Sequence, residues 1–307
     1  MTTVQECLAA RLAGFPEAGR SQLAGLLGDP GFRGLVPAEA AAEIAQALGR
    51  GVEDLMRLLV PLAQCYAIPP VSGFQVGVVA RGTSGSLYFG ANMEYVGTSL
   101  ALTVHGEQSA TANAWLHGER GLSSIAISAA PCGLCRQFLY ELTTAATLVV
   151  LVGGQRPVLL PDLLPQAFGP ADLGVAAALM SPESHGLALD PEPHDPLVLA
   201  ALAAADSSYA PYSGGFAGVA IETASGAVYT GRYAENAAFN PSLSPLECAL
   251  VLRSFGGTPD DAVARAVLVE VSSKADQAAV TSALLSALSD AELEAYRAQP
   301  RGKEPIV

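Results

Sequence analysis

Two short stretches, 27 residues apart, limit what this chain can be: Val104-His105-Gly106-Glu107 and Pro131-Cys132-Gly133-Leu134-Cys135-Arg136-Gln137. Together they offer one imidazole, two thiols and a carboxyl group that need not bind a metal. A catalytic zinc site has three protein ligands and leaves a fourth position to water, whereas a structural site closes with four. His105, Cys132 and Cys135 are therefore read as ligands of one zinc ion, and Glu107 as a catalytic acid and base. Each stretch precedes a helix-compatible run. One spans Glu107 to Leu116 and stops at Gly118, and the other runs roughly from Cys132 to Thr144 with Pro131 suiting its first turn. Cysteines three apart on a helix face the same way. A helix N-terminus lowers a cysteine pKa and so favours the thiolate. Arg136 is expected to add positive charge beside the sulfurs, acting on the metal through them.

A lone His-x-Glu is common by chance, and a lone Cys-x-x-Cys equally suits a redox pair or half of a structural zinc site. Their order here, each opening a helix, is that of zinc nucleobase deaminases. The likeness extends to Phe74-Gln75-Val76-Gly77, Tyr88-Phe89-Gly90-Ala91-Asn92-Met93-Glu94, His105-Gly106-Glu107-Gln108-Ser109 and Leu164-Pro165-Gln166-Ala167-Phe168-Gly169-Pro170. From about Leu55 onward the chain resembles the cytidine deaminase family in its longer, two-domain bacterial form. One departure is Gly106, where the family usually has alanine; a change of local stiffness is expected from it.

Net charge is −13 and the sequence pI about 4.7, with no Lys/Arg cluster, which argues against a polyanionic partner. No apolar run reaches the roughly 18 residues of a membrane span, and the first residues lack the pattern of a signal peptide. Five cysteines with one close pair suit a reducing cytoplasm, with Cys7, Cys65 and Cys248 expected as buried reduced thiols.

Residues 1 to about 65 read as helical, with one helix opening at Pro37-Ala38-Glu39 and another carrying Val52, Leu55, Met56, Leu59 and Leu62. Phe74–Ala80 and Leu87–Gly90 read as a hairpin, and Ser124–Ser128 and Leu148–Val152 as strands alternating with the two helices. A mixed sheet sandwiched by helices is the expected fold. The segment from Gly153 to Pro196 holds eight prolines and reads as a connection, with His185 and His194 solvated.

The second half repeats the first. Tyr209–Phe216 matches Ile68–Phe74, and Tyr229–Glu235 matches Tyr88–Glu94. Pro245 or Leu246 falls where His105 would, and no cysteine follows Cys248. The expected organisation is a helical segment (1–50), a catalytic domain (51–155), a connection (156–195) and a metal-free second copy (196–307), with a disordered tail from Pro300.

The resemblance implies a duplicated three-layer α/β/α fold with one zinc per chain. It implies hydrolytic deamination of free cytidine and deoxycytidine to uridine and deoxyuridine, releasing ammonia. Asn92 and Glu94 would hold the ribose 3′-hydroxyl, and Phe74 would pack on the pyrimidine beside Gly106. A homodimer is implied in which Ala238 and Phe239 of one chain cover the other's pocket, with no nucleic-acid or membrane partner. Alternatives are the same chemistry on deoxycytidylate or a nucleic-acid base, and a non-catalytic zinc-stabilised binding protein.

Overall fold

The strands near the motif are almost wholly apolar, as strands covered on both faces must be. The computed structural model describes residues 3–256 and 261–301. The chain divides into two compact units, the first comprising residues 1–94, 103–167 and 254–257 and the second residues 95–102, 168–253 and 258–307.

In the first unit, β1 (Leu35–Val36), β2 (Gly77–Gly82), β3 (Leu87–Ala91), β4 (Leu122–Ile127), β5 (Val149–Val152) and β6 (Val158–Leu159) form one sheet in the order β1-β3-β2-β4-β5-β6. β2 and β3 are the expected antiparallel hairpin, while β4 and β5 run parallel, so the sheet is mixed. The helices are α1 (Val4–Ala13), α2 (Glu17–Leu27), α3 (Ala38–Ala47), α4 (Val52–Ala63), α5 (Gly106–Leu116), α6 (Gly133–Leu139) and the single turn α7 (Leu160–Leu163). Successive strand residues point to opposite faces. A Cβ on Gly77 would meet Val60 and Gln64 at the end of α4, and one on Gly90 would meet the backbone of Gly106 and Ala110 in α5. These two helices therefore cover opposite faces, and Gly90 is where strand and helix touch backbone to backbone.

The second unit rebuilds the plan from β7 (Leu187–Ala188), β8 (Ala217–Thr223), β9 (Val228–Arg232), β10 (Val263–Val271) and β11 (Leu293–Pro300), ordered β7-β11-β10-β8-β9, with α8 (Pro196–Asp206), α9 (Pro245–Ser254) and α10 (Ala278–Leu285). Val219, Ile221, Ala266 and Leu268 pack with α9 and α10; Ala220, Val267 and Val269 pack with α8. Gly231 repeats Gly90, its missing Cβ replaced by the backbone of Pro245 and Ala249.

Several expectations need correction. The second metal-bearing helix ends at Leu139, because Thr144 turns its hydroxyl to the backbone of Leu122. The strand expected from Phe74 begins only at Gly77. Cys7 and Cys65 are joined in a disulfide, their Cα atoms 5.6 Å apart. Packing of α1 beside α4 brings together two cysteines 58 residues apart in sequence, a proximity that spacing does not reveal. Cys248 is a buried free thiol, as read. His185 is not merely solvated: it stacks on Phe216 at 3.5 Å and bonds the Ser208 carbonyl. His194 is exposed. Pro300 closes β11 and the Arg301 amide bonds the Gly186 carbonyl; the rest of the expected disordered tail, 302–307, lies outside the described residues.

Candidate active site

His105 is the N-cap of α5 and Cys132 the N-cap of α6, so both meet the site from extended backbone just before a helix begins. The Gln108 side chain accepts from the His105 amide at 3.1 Å, fixing the entry to α5. Ser109 accepts from the Ala91 amide and Asn113 donates to the carbonyls of Gly34 and Phe89, which lock the buried helix onto β3.

The ligand atoms of His105, Cys132 and Cys135 lie within 4.8 Å of one another, with His105 Nδ1 3.6 Å and Cys135 Sγ 3.5 Å from Cys132 Sγ. Two donors about 2.0 to 2.3 Å from a tetrahedral zinc stand some 3.5 to 3.8 Å apart, so this set fits that ion, and one imidazole with two thiolates suits its borderline-soft character. The Cys132 thiol is held down to about 5, chiefly by the hydrogen bond from Cys135 and, against the cost of burial, by amides at the start of α6 and by His105. That same bond, followed by burial, pushes Cys135 up.

Glu107, one residue into α5, is 4% exposed. Burial pushes its carboxyl pKa up, opposed in part by a backbone amide and by Cys135. A buried carboxyl next to a metal-binding set is placed to take up and release a proton.

A cavity of about 290 Å³ opens beside these groups. Every sequence-predicted residue of the first unit except Cys135 and Arg136 lines it: Phe74, Asn92, Glu94, His105, Gly106, Glu107 and Cys132. Neither lysine nor arginine is in its wall. Phe74 is 59% exposed on a loop rather than buried in a strand. Asn92 explains that: its amide donates to the Phe74 carbonyl (2.9 Å) and accepts from the Val76 amide (2.8 Å), taking the place of a strand partner. Glu94 accepts from the amides of Val71 and Ser72 and from the Ser72 hydroxyl, and these donors outweigh burial to hold its pKa below the usual carboxylate range.

The Arg136 guanidinium donates to the carbonyls of Pro131 and Leu163, tying α7 to the loop that presents Cys132. Sequence reading missed Ser72, Val76, Thr103, Ala129 and Ala130 in the wall. Only Ser72 carried a signal, since Ser213 repeats it in the second unit.

There Glu235 accepts from the amides of Tyr212 and Ser213 as Glu94 does from Val71 and Ser72. The bridge Ala234–Leu243 repeats Met93–Val104. The residue after that bridge, in the place of His105, is Ser244 rather than Pro245 or Leu246, and Leu246 stands where Glu107 does. Ala238 and Phe239 belong to this unit, outside the cavity wall.

Two family models, each described as the cytidine and deoxycytidylate deaminase zinc-binding region, match residues 50–151 and 160–282. The chain belongs to the cytidine and deoxycytidylate deaminase family. It is 44% identical over 296 residues to a cytidine deaminase of Aliivibrio fischeri, covering 96% of this chain and 99% of that one. Its identity to a cytidine deaminase of Serratia proteamaculans is 47% over 255 residues, covering 83% and 86%. Among solved structures, a cytidine deaminase from Mycobacterium tuberculosis is 32% identical and covers 38% of this chain and 97% of that one, with a TM-score of 0.36.

Proposed function

We propose that the chain hydrolytically deaminates free cytidine and deoxycytidine to uridine and deoxyuridine with release of ammonia, a step of pyrimidine salvage. One observation carries this reading: a buried carboxyl with a raised pKa, Glu107, shares a small cavity with a His-Cys-Cys metal set. His105, Cys132 and Cys135 hold the zinc. When bound, zinc supplies the acidity that makes water a nucleophile near neutral pH. Glu107 takes one proton from the water attacking C4 of the pyrimidine and passes it to N3; it then takes the proton of the new C4 hydroxyl and gives it to the amine, which leaves as ammonia.

Phe74 lies on the pyrimidine ring beside the Gly106 backbone. Asn92 and Glu94 bind the ribose 3′-hydroxyl with the polar capacity left over from organising the 71–76 loop. With no cation in its wall, the cavity has nothing to neutralise a phosphate, which favours a nucleoside over deoxycytidylate or a nucleic-acid base. The unligated Glu107 disfavours a purely structural zinc protein, which has no use for it.

We place the enzyme in the cytoplasm; no helix among the described residues is long and apolar enough to cross a membrane. It acts as a homodimer in which Ala238 and Phe239 of one chain cover the pocket of the other. Phe239 is 63% exposed and sits at φ 62°, an uncommon backbone state for a bulky residue. Ammonia release from a panel of cytidine, deoxycytidine and deoxycytidylate, with elemental analysis, tests the reading. Turnover of both nucleosides, little of the nucleotide and one zinc per chain are expected; a preference for the nucleotide, or a metal-free active protein, would overturn it.

A further inference from the structure

Within the first unit, Ser72 stands between two groups that the proposed reaction uses. Its hydroxyl donates to Glu94 Oε1 at 2.5 Å and accepts from the Phe74 amide at 3.0 Å. Against the cost of burial, its donors keep Glu94 ionised. An ionised carboxylate only accepts and an amide N–H only donates, so the two neighbours fix which way the single hydroxyl proton points. Glu94 Oε2 takes the amides of Val71 and Ser72, both at 2.9 Å. Among the described residues, three of the roughly four acceptor positions of this carboxylate are thus taken by the turn, which leaves one for a substrate hydroxyl. Phe74 is held on both sides: its amide by Ser72, and its carbonyl by the Asn92 side chain at 2.9 Å. The second unit repeats the turn, with the Tyr212 and Ser213 amides donating to Glu235 and the Gly215 amide to the Ser213 hydroxyl. There glycine stands in the place of Phe74 in the turn, so the hydrogen bonds are kept and the ring is particular to the unit with the metal set.

We infer that Ser72 is a positioning residue for the site, whose hydroxyl sets the Glu94 carboxylate and the Phe74 ring at a fixed separation. One end of that link meets the ribose and the other the pyrimidine. Ser72 therefore bears on how the nucleoside is held and leaves proton transfer at Glu107 to its own machinery. This inference rests on the nucleoside-deaminase reading and deepens it.

The test compares zinc-loaded wild-type protein with Ser72→Ala, Ser72→Thr and the control Ser84→Ala. Ser72 is exposed, so alanine opens no cavity there. Ser84 is a like arrangement in the same unit: at the β2–β3 turn its hydroxyl donates to Glu119 at 2.5 Å and accepts from the Ser86 amide at 3.2 Å. Ser84, Ser86 and Glu119 are outside the cavity wall. Cytidine kinetics, zinc content and thermal unfolding are measured for each. Ser72→Ala is expected to raise KM about tenfold, since small misplacements of binding groups are costly. Its kcat should stay within about threefold and its zinc at the wild-type level, because ground-state and transition-state binding weaken together. Ser72→Thr keeps the hydroxyl and should return KM to within about threefold of wild type. Ser84→Ala should unfold at a lower temperature with KM within about twofold of wild type. A Ser72→Ala KM no different from that of Ser84→Ala, a loss confined to kcat or zinc, or a threonine variant no better than alanine would overturn the inference while leaving the deaminase reading standing. A wild-type protein that neither holds zinc nor deaminates nucleosides would overturn that reading and the inference with it.

Discussion

Gly106 lies between His105 and Glu107, at the first position of α5. A Cβ there would stand 2.8 Å from Val78 Cγ2 and 3.0 Å from Val76 Cγ1. The space of that missing Cβ is thus bounded by β2 and the loop before it. Gly106→Ala should push the start of α5 off the sheet, costing about 1–3 kcal/mol as overpacking does, and should lower kcat/KM. Val78→Ala in the same chain should recover most of both losses. A double-mutant cycle in which the two changes simply add would refute the contact. Glu107 makes a different case, because the task proposed for it is proton transfer. Glu107→Ala should keep the fold and one zinc per chain while kcat falls by about 10²–10⁴-fold, the usual worth of a general acid–base. Substantial remaining turnover would require another base.

At the scale of elements, the disulfide between Cys7 and Cys65 closes a loop of 58 residues and ties α1 to the turn after α4. Closing a loop of that size limits the unfolded chain by about 4 kcal/mol in the chain-entropy account. Cys7→Ser should lower unfolding free energy by up to that amount, read from denaturant midpoints. Cytidine turnover should be unchanged, since neither cysteine lines the cavity. The hairpin, the parallel pair and α3 to α5 could be read from the sequence because each carries several turns or alternations of apolar residues. The metal set was legible because its chemistry needs particular residues at particular spacing. Two-residue strands such as β1, β6 and β7 carry no period to detect. β11 reads Leu-Glu-Ala-Tyr-Arg-Ala-Gln-Pro, rich in helix formers, and is a strand because β10 offers it a parallel edge. Phe74 to Val76 has the alternation of a strand, yet the Asn92 side chain claims its backbone groups. The error of one or two residues at Ser244 has a similar origin: the loop from Glu235 to Leu243 is two residues shorter than that from Glu94 to Val104, and only the bridges reveal it.

At the scale of the whole molecule, the 236–240 loop presents an exposed aromatic residue, Phe239. Asn236 accepts from the Ala238 amide, and its carbonyl accepts from Phe239, so the loop is organised by its own bonds while Ala238 and Phe239 stay exposed. The Tyr212 ring meets Phe239 edge-on, with centroids 6.4 Å apart. An aromatic residue fixed outward in this way is the kind of anchor that interfaces use. If a second copy receives it, sedimentation should give about twice the 31.3 kDa chain mass, as expected of a twofold dimer. A sharper measurement mixes Glu107→Ala chains with Phe239→Ala chains, each nearly inactive alone. In a hybrid dimer, the site with an intact Glu107 receives Phe239 from its partner, while the other site lacks both. Random exchange makes half the dimers hybrid with one good site in two, so activity should return to about a quarter of the wild-type value, a consequence of isologous pairing. An active monomer would refute the shared pocket. So would exchange demonstrated by mass-labelled chains without any return of activity, because the hybrid must contain one complete site if Phe239 serves its neighbour.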